Sequence, residues 1–457
     1  MPLRRDRTLL VIAFMAAAGA AAWTYWPAFS SYLIDDDFQW IDGAMQLGAS
    51  RAFVVSGRTH FYRPILELYF GLMYAVFACS ARALHVASVC IHIVNAWLVM
   101  LLALRMTRDA DHPDGSRIFA SLAGFLFAVQ PGPAQAVLWP SAVGTLLSAT
   151  FGLLFLLADM SSRTIKVRAA TREHAWTAIA LIALAASMGA HESGVMWLPA
   201  AVLLRYGLVH LRQGGPLSGP TKQHWPAVRE KRTAIGGQGA TTRAVARHYA
   251  PALFLLFAYA GLTAWINSHN YVITEGQYRP GAHMITNLLM YLVALYAGRQ
   301  RWIEYVAVAV LFVVGVWRGT PLVRAWCLWL IAALLPVLPF MPPPSSRYLY
   351  VSAITFSFLA AFGIVWIMTT LRERGGARGH VAAVTAALLL TTFVAGRSAS
   401  FARKGAEGFR NDATRYFDLA EHLDRRDTGV SWISPLYLDP LARVATCNPL
   451  ARYQNLR

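Results

Sequence analysis

The chain has 457 residues, of which 56% are apolar and 14% charged, with a mean hydropathy of +0.43. A soluble domain carries about 25% charged residues, so an ordinary globular enzyme, a disordered chain and a coiled coil are all excluded. The net charge of +18 arises from 41 Lys+Arg against 23 Asp+Glu. The basic residues fall between apolar runs, the pattern of membrane loops touching lipid head groups and not of a nucleic-acid surface.

Taken in chain order, Arg4-Arg5-Asp6-Arg7 precedes an apolar run over 8–26 that ends in Trp23, Tyr25 and Trp26. The basic flank and Ala-rich stretch also suit a cleaved signal peptide. Near-bilayer length and interfacial aromatics favour a retained first transmembrane helix with its N-terminus inside. A polar stretch over 30–60 follows, holding Asp35-Asp36-Asp37, Asp42, Arg51 and Arg58. Further apolar runs cover 63–80, 84–104, 118–129, 141–158, 178–190, 194–208, 251–266, 284–297, 303–317, 325–340, 348–370 and 381–395. The fold class is therefore all-α, a polytopic transmembrane helical bundle of about eleven to thirteen spans.

Charge sets the topology. Residues 205–248 hold Arg205, Arg212, Lys222, Arg229, Lys231, Arg232, Arg243 and Arg247 against one acid, Glu230. That loop is expected to be cytoplasmic, as is 159–175 with Arg163, Lys166, Arg168 and Arg172. Counting from an inside N-terminus satisfies both only if 63–80 does not cross. It is then a juxtamembrane helix on the outer face, which also accommodates Glu67 within it. Residues 130–140, 190–193 and 341–347 then lie outside and 371–379 inside; parity between 284 and 340 is not set by charge.

Five groups could carry chemistry. Asp35-Asp36-Asp37 places three repelling carboxylates just past the first helix, which suits a general base or a cation site. A solvated acidic loop has the same pattern. In Tyr62-Arg63-Pro64, Pro64 suits a first helical turn, and Arg63 and Glu67 are spaced to pair. His85, Ser88, His92 and Asn95 share one stripe of a helix, where interhelical hydrogen bonding is the plain alternative to function. Gln130-Pro131-Gly132-Pro133 and His191-Glu192 form breaks at the outer face. Pro342-Pro343-Pro344-Ser345-Ser346-Arg347-Tyr348-Leu349-Tyr350 offers an arginine able to grip a phosphate. Cys79, Cys90, Cys327 and Cys447 include no CxxC pair, and neither a disulfide framework nor a zinc site is legible from them.

These pieces resemble a family when read in order. After the acidic pair come HFYRPILELYFGLMY (60–74), LHVASVCIHIVNAWLVMLL (84–102), QPGPAQAVLWPSAVGTLLSA (130–149), AHESGVMWLPAAVLL (190–204) and PSSRYLYVSAITFSFLAAFG (344–363). The chain resembles the multi-spanning glycosyltransferases of the GT-C fold over residues 8–370. It is nearest to the membrane core of the tetratricopeptide-containing O-mannosyltransferases, and similar more distantly to protein O-mannosyltransferases and aminoarabinose transferases.

The resemblance implies a GT-C-type bundle that takes a sugar from a polyprenyl-phosphate carrier and adds it to an acceptor hydroxyl on the non-cytoplasmic face. The acceptor is a protein, lipid or glycan. The family's aspartate matches Asp36 and Asp37, with Asp35 extra. Its Arg-Pro matches Arg63-Pro64, its second-span histidine His92, its Lys-Glu His191-Glu192 without the lysine, and its Arg-Tyr-Leu-Tyr Arg347–Tyr350. Gln130-Pro131 and Gln135 stand where members often have His-Pro and a glutamate. The family's repeats are absent.

The implied substrate-contacting set is Tyr62, Arg63, Glu67, His92, His191, Glu192, Arg279, Arg347, Tyr348 and Tyr350, with Asp35, Asp36 and Asp37 catalytic. A divalent cation is the one cofactor these residues could hold, on Asp36 and Asp37. The implied division is a transmembrane core over 1–397, with a catalytic outer loop at 28–83 and a basic cytoplasmic loop at 205–248, then a polar tail over 398–457. The implied location is a bacterial inner membrane, surrounded by lipid and with the active site outside. A single displacement predicts inversion at the anomeric carbon. A flippase or transporter for a lipid-linked glycan would use the same polar stripe and basic loops, but has no need of the acidic cluster. A surface-polysaccharide ligase or polymerase would concentrate its motifs later in the chain.

Overall fold

The computed structural model describes residues 2–53, 61–107, 113–163, 170–212, 238–267, 276–295, 301–341, 345–422 and 435–447. Arg58, Lys166, Arg168, the middle of the basic loop and Pro342–Pro344 lie outside them. Among the described residues all regular structure is helical, apart from one isolated bridge between Tyr278 and Phe340. The helices are α1 (Pro2–Tyr25), α2 (Asp36–Leu47), α3 (Pro64–Phe77), α4 (Ala81–Met106), α5 (Pro113–Ala128), α6 (Ala134–Leu138), α7 (Val143–Arg163), α8 (Ala170–Ala190), α9 (Trp197–Arg212), α10 (Gln238–Asn267), α11 (His283–Leu295), α12 (Trp302–Arg318), α13 (Pro321–Leu334), α14 (Tyr350–His422) and α15 (Pro435–Cys447).

Seven stretches of helix are long and apolar enough to cross a bilayer: Thr8–Ser30, Ala81–Met106, Pro140–Ser162, Glu173–Ala190, Val245–Ile266, Ser346–Glu373 and Arg378–Ala420. With the shorter α5, α9, α12 and α13 they alternate between two ends of the bundle. At one end the acidic loop meets 130–141, 191–196, 335–341 and 345–349: Tyr25 reaches Gln130, Ser141 reaches Asp37, and Arg63 reaches Glu192. At the other, Arg105 meets Ser161, His248 meets Asp159, and α9 meets α13 near Gly207. The chain is a polytopic integral membrane protein.

Local chemistry sets many helix ends. Pro64 opens α3 and Pro321 opens α13, where a missing N–H costs nothing. Ser80 caps α4 and Thr320 caps α13 by accepting backbone N–H bonds. α3 is short and stays at the acidic-loop end, packed on α2 and on the 3-10 turn Gly48–Phe53. Its Leu68, Leu72 and Val76, spaced by four, form an exposed apolar stripe, as an interfacial helix requires.

Three features depart from the sequence reading. The run 284–297 is not a crossing: α11 is tied at both ends to the acidic-loop end, through His283 to the Pro339 carbonyl and through its Leu295 carbonyl, which accepts from Gln130. This sets the parity of the following helices. Residues 398–422, assigned to a separate tail, continue α14. A straight helix of its 73 residues would be about 110 Å long, but it doubles back. A Cβ at Gly379 would sit 2.5 Å from the Leu371 carbonyl, so glycine permits the turn, and Tyr416 returns to the acidic loop. Finally, Cys79 and Cys447 form a disulfide across 368 residues. Neither cysteine signals the other, because one ends an apolar run and the other sits in the final helix.

Candidate active site

The acidic triplet is placed by a sharp entry into α2. Asp35 has φ 43°, the left-handed region that costs a non-glycine residue about 1–3 kcal/mol and clusters at functional sites. Asp36 and Asp37 then occupy the first turn of α2, where the helix dipole favours carboxylates. The three have different environments. Asp37 is fully buried; its Oδ2 accepts the Ile34 N–H at 3.0 Å, and its Oδ1 accepts the Ser141 N–H at 2.7 Å and the Ser141 hydroxyl. Burial pushes Asp37 up to about 7 against those three donors, and the neighbouring charge of Asp36 adds to the rise. Asp35 is raised by burial, opposed by the Tyr416 hydroxyl that donates to it and by the charge of Arg347. Asp36 is half-buried at the helix start.

Arg347 stands across from this loop in a 3-10 turn, Ser346–Leu349. Gln135 of α6 seats the turn: its Oε1 accepts from the Ser345 hydroxyl at 2.6 Å and from the Arg347 N–H at 3.3 Å. The guanidinium lies 4.6 Å from the centre of the Trp139 ring and 5.1 Å from that of Tyr348, which itself stacks on Phe340. Aromatic faces hold a guanidinium without neutralising it.

A third cluster completes this end. Arg63 donates to both oxygens of Glu192, Nε at 2.9 Å and Nη2 at 2.7 Å, and its guanidinium also covers the Phe61 ring. Burial raises the Glu192 carboxyl, but the charge of Arg63 and its hydrogen bonds outweigh it and hold the group at about 2. His191 is lowered to about 3 by burial and by the charge of Arg63, so it is neutral, its Nδ1 accepting from the Ser193 N–H. Tyr62 and Arg63 also lie within electrostatic reach of Tyr259.

The sequence-derived set is thus partly assembled. Asp35, Asp36, Asp37, Tyr62, Arg63, His191, Glu192, Arg347 and Tyr348 share one end of the bundle. The expected Arg63–Glu67 pair does not form: Arg63 is taken by Glu192, and Glu67 turns to Arg51 at 3.6 Å, because α3 packs that face on the 3-10 turn. Glu67 is buried and raised to about 7 by that burial, with Arg51 opposing. His92 and Tyr350 form an internal joint: His92 Nδ1 is 2.7 Å from the Tyr350 hydroxyl, its Nε2 is 3.1 Å from the Ala128 carbonyl, and Asn95 donates to the same hydroxyl. Both rings are fully buried. Arg279 is exposed, held by its backbone N–H to the Pro339 carbonyl.

Sequence reasoning missed Ser141, Tyr416 and the seating role of Gln135. Ser141 lay within a quoted motif, and Tyr416 within the aromatic, basic stretch set aside as a tail. Among the described residues no group of three His, Cys, Asp or Glu side chains is placed to hold a metal ion. Both oxygens of Asp37 already accept hydrogen bonds, Oδ1 from Ser141 and Oδ2 from Ile34, and no step is derived through a cation.

Comparison with solved structures places the fold. The Archaeoglobus fulgidus oligosaccharyltransferase tethered to an acceptor peptide superposes with a TM-score of 0.52 at 16% identity, covering 93% of this chain and 57% of that one. ArnT from Cupriavidus metallidurans bound to undecaprenyl phosphate superposes at 0.50 with 13% identity, covering 96% and 88%. Its apo form gives 0.52 at 12%, covering 95% and 84%. The chain spans little more than half the length of the oligosaccharyltransferase. No family model matches it, and no curated protein matches it in sequence. At these identities the likeness is one of fold, and that fold is the expected GT-C type.

Proposed function

We propose that the protein is a membrane glycosyltransferase that moves a sugar from a polyprenyl-phosphate carrier to an acceptor hydroxyl on the non-cytoplasmic face of a bacterial inner membrane. The carrying observation is the meeting, at one end of the bundle, of a strained acidic loop and an aromatic-held arginine. Solved proteins of this fold include one crystallised with undecaprenyl phosphate and one tethered to an acceptor peptide, in line with that donor and acceptor. The side assignment is supported by basic residues in the connections at the opposite end and by a disulfide at this one. Residues 28–83 form the catalytic loop, and the chemistry is of the kind the resemblance to the O-mannosyltransferases implies.

Asp37 is buried and bound by Ser141 and Ile34, so it fixes the loop. Asp36, half-buried in the first turn of α2 and one of the pair that the resemblance aligns with the family's aspartate, is the general base. The acceptor hydroxyl passes its proton to Asp36 as its oxygen bonds the anomeric carbon. The bond from that carbon to the phosphate oxygen breaks, and the carrier phosphate leaves with the electron pair. Arg63 is neutralised by Glu192, so Arg347 is the guanidinium that stabilises the developing phosphate charge. Tyr62, His191 and Tyr348 line the approach. His92, Tyr350 and Glu67 hold the fold.

The test is turnover by purified protein with a polyprenyl-phosphate sugar. Asp36→Asn is expected to lower it about 10²–10⁴-fold, while Asp412→Asn, on an exposed part of α14, leaves it unchanged. Product with the anomeric configuration retained, or full turnover in Asp36→Asn, overturns the mechanism. Transport of the lipid-linked sugar without transfer would favour the flippase.

A further inference from the structure

At the end of the bundle away from the acidic loop, a cavity of about 920 Å³ opens between α4, α5, α7 and α8. Its volume lies in the upper part of the range of about 300–1,000 Å³ found for ligand sites. Most of its lining is apolar, including Leu101, Phe151, Leu154 and Ile179, of which Leu154 and Ile179 are exposed at the helix surface. The polar groups gather at one pole. Arg105 in the last turn of α4, Ser116 and Arg117 in the first turns of α5, and Ser161 at the end of α7 all line it there. Trp176, in the first turns of α8, stands beside them, as an interfacial aromatic does.

The shape has a direction. A long apolar trough runs from mid-membrane toward the interface and terminates in two guanidiniums and two hydroxyls. A guanidinium at the edge of hydrocarbon is stabilised by an anionic partner, and phosphate suits it geometrically. An acyl chain suits the trough.

We infer that this cavity is a binding site for an anionic phospholipid of the bilayer leaflet opposite the acidic loop, its phosphate held by Arg105 and Arg117 and one acyl chain laid along α7 and α8. A polyprenyl phosphate shares that chemistry, but bound here its phosphate would lie across the bundle from Asp36. The buried joint of His92, Asn95 and Tyr350 lies between them. The inference does not depend on the glycosyltransferase reading, except in setting that carrier aside.

The probe is phosphatidylglycerol. Protein reconstituted in nanodiscs of equal phosphatidylglycerol and phosphatidylcholine, then read by native mass spectrometry, is expected to retain the anionic lipid about tenfold over the zwitterionic one. Arg105→Gln combined with Arg117→Gln is expected to bring that preference to unity. Ala186→Phe, which fills the trough at its inner end, is expected to abolish retention. Unfolding midpoints in lipid-free detergent match the parent for both variants, so a changed fold is read separately from a changed site. Undiminished preference in the double variant, retention surviving Ala186→Phe, or displacement of phosphatidylglycerol by undecaprenyl phosphate overturns the inference. Loss of sugar transfer with lipid retention intact bears only on the catalytic reading.

Discussion

Asp37 and Glu192 are both carboxylates taken out of water at the same end of the bundle, yet one is pushed up to about 7 and the other held at about 2. Asp37 faces a hydroxyl and two peptide N–H groups; Glu192 faces a guanidinium in a two-pronged grip. Burial acts on both in the same sense. What separates them is whether the partner is a dipole or a full charge. The site thus has one side whose charge is fixed, built on Arg63–Glu192, and one side whose buried carboxyl is raised to about 7, built on Asp37.

Breaking the fixed side gives the largest stability loss. Glu192→Gln leaves the Arg63 guanidinium without its counter-charge and is expected to cost about 3 kcal/mol, seen as a lowered unfolding midpoint in detergent or nanodiscs. A midpoint close to the parent's would show that Arg63 finds another partner. Asp37→Asn replaces one acceptor oxygen with a donor that faces the Ile34 N–H, and is expected to cost about 1–3 kcal/mol.

The two acids also respond to pH with opposite signs. Asp37 is raised above its unfolded value, so its contribution is present below about pH 4 and is lost as pH climbs to about 7, at a limiting slope of about 1.4 kcal/mol per pH unit. Glu192 is lowered, so its contribution is present above its ordinary carboxylate value and is lost as pH falls toward 2. Stability followed from pH 4 to 7 is expected to slope downward in the parent and less steeply in Asp37→Asn, where Glu67 still titrates. An unchanged slope in that variant would assign the titration elsewhere, with Glu67 as the next group to test. The smallest effect is at Tyr416→Phe, which removes one donor from Asp35 and is expected to cost about 1 kcal/mol.

The sequence made the acidic loop, His191-Glu192 and Arg347-Tyr348 legible because polar residues between apolar runs in a membrane protein are few and their order is distinctive. It did not make the Arg63 partner legible. Spacing by four offers Glu67, a local rule, whereas Glu192 lies 129 positions away and is brought up only by packing of α3 on α8. Nor could composition separate α11 from a crossing, since an apolar helix that stays at one end has the same residues as one that traverses. The α4 stripe shows the converse. His92 and Asn95 stood out because polar groups in lipid are costly, and that cost is met by hydrogen bonds to Tyr350, Ala128 and Leu146.

The bond between Cys79 and Cys447 ties the last described helix to the loop laid down just after the first crossing. Arg443 reinforces that tether by gripping both oxygens of Asp42 on α2, at 2.5 and 2.7 Å. A segment made after the crossing helices described above therefore fastens one of the earliest to be inserted. A nascent chain stopped short of Cys447 would carry the seven long apolar helices and all three aspartates, yet lack the covalent tie between the outer loop and α15.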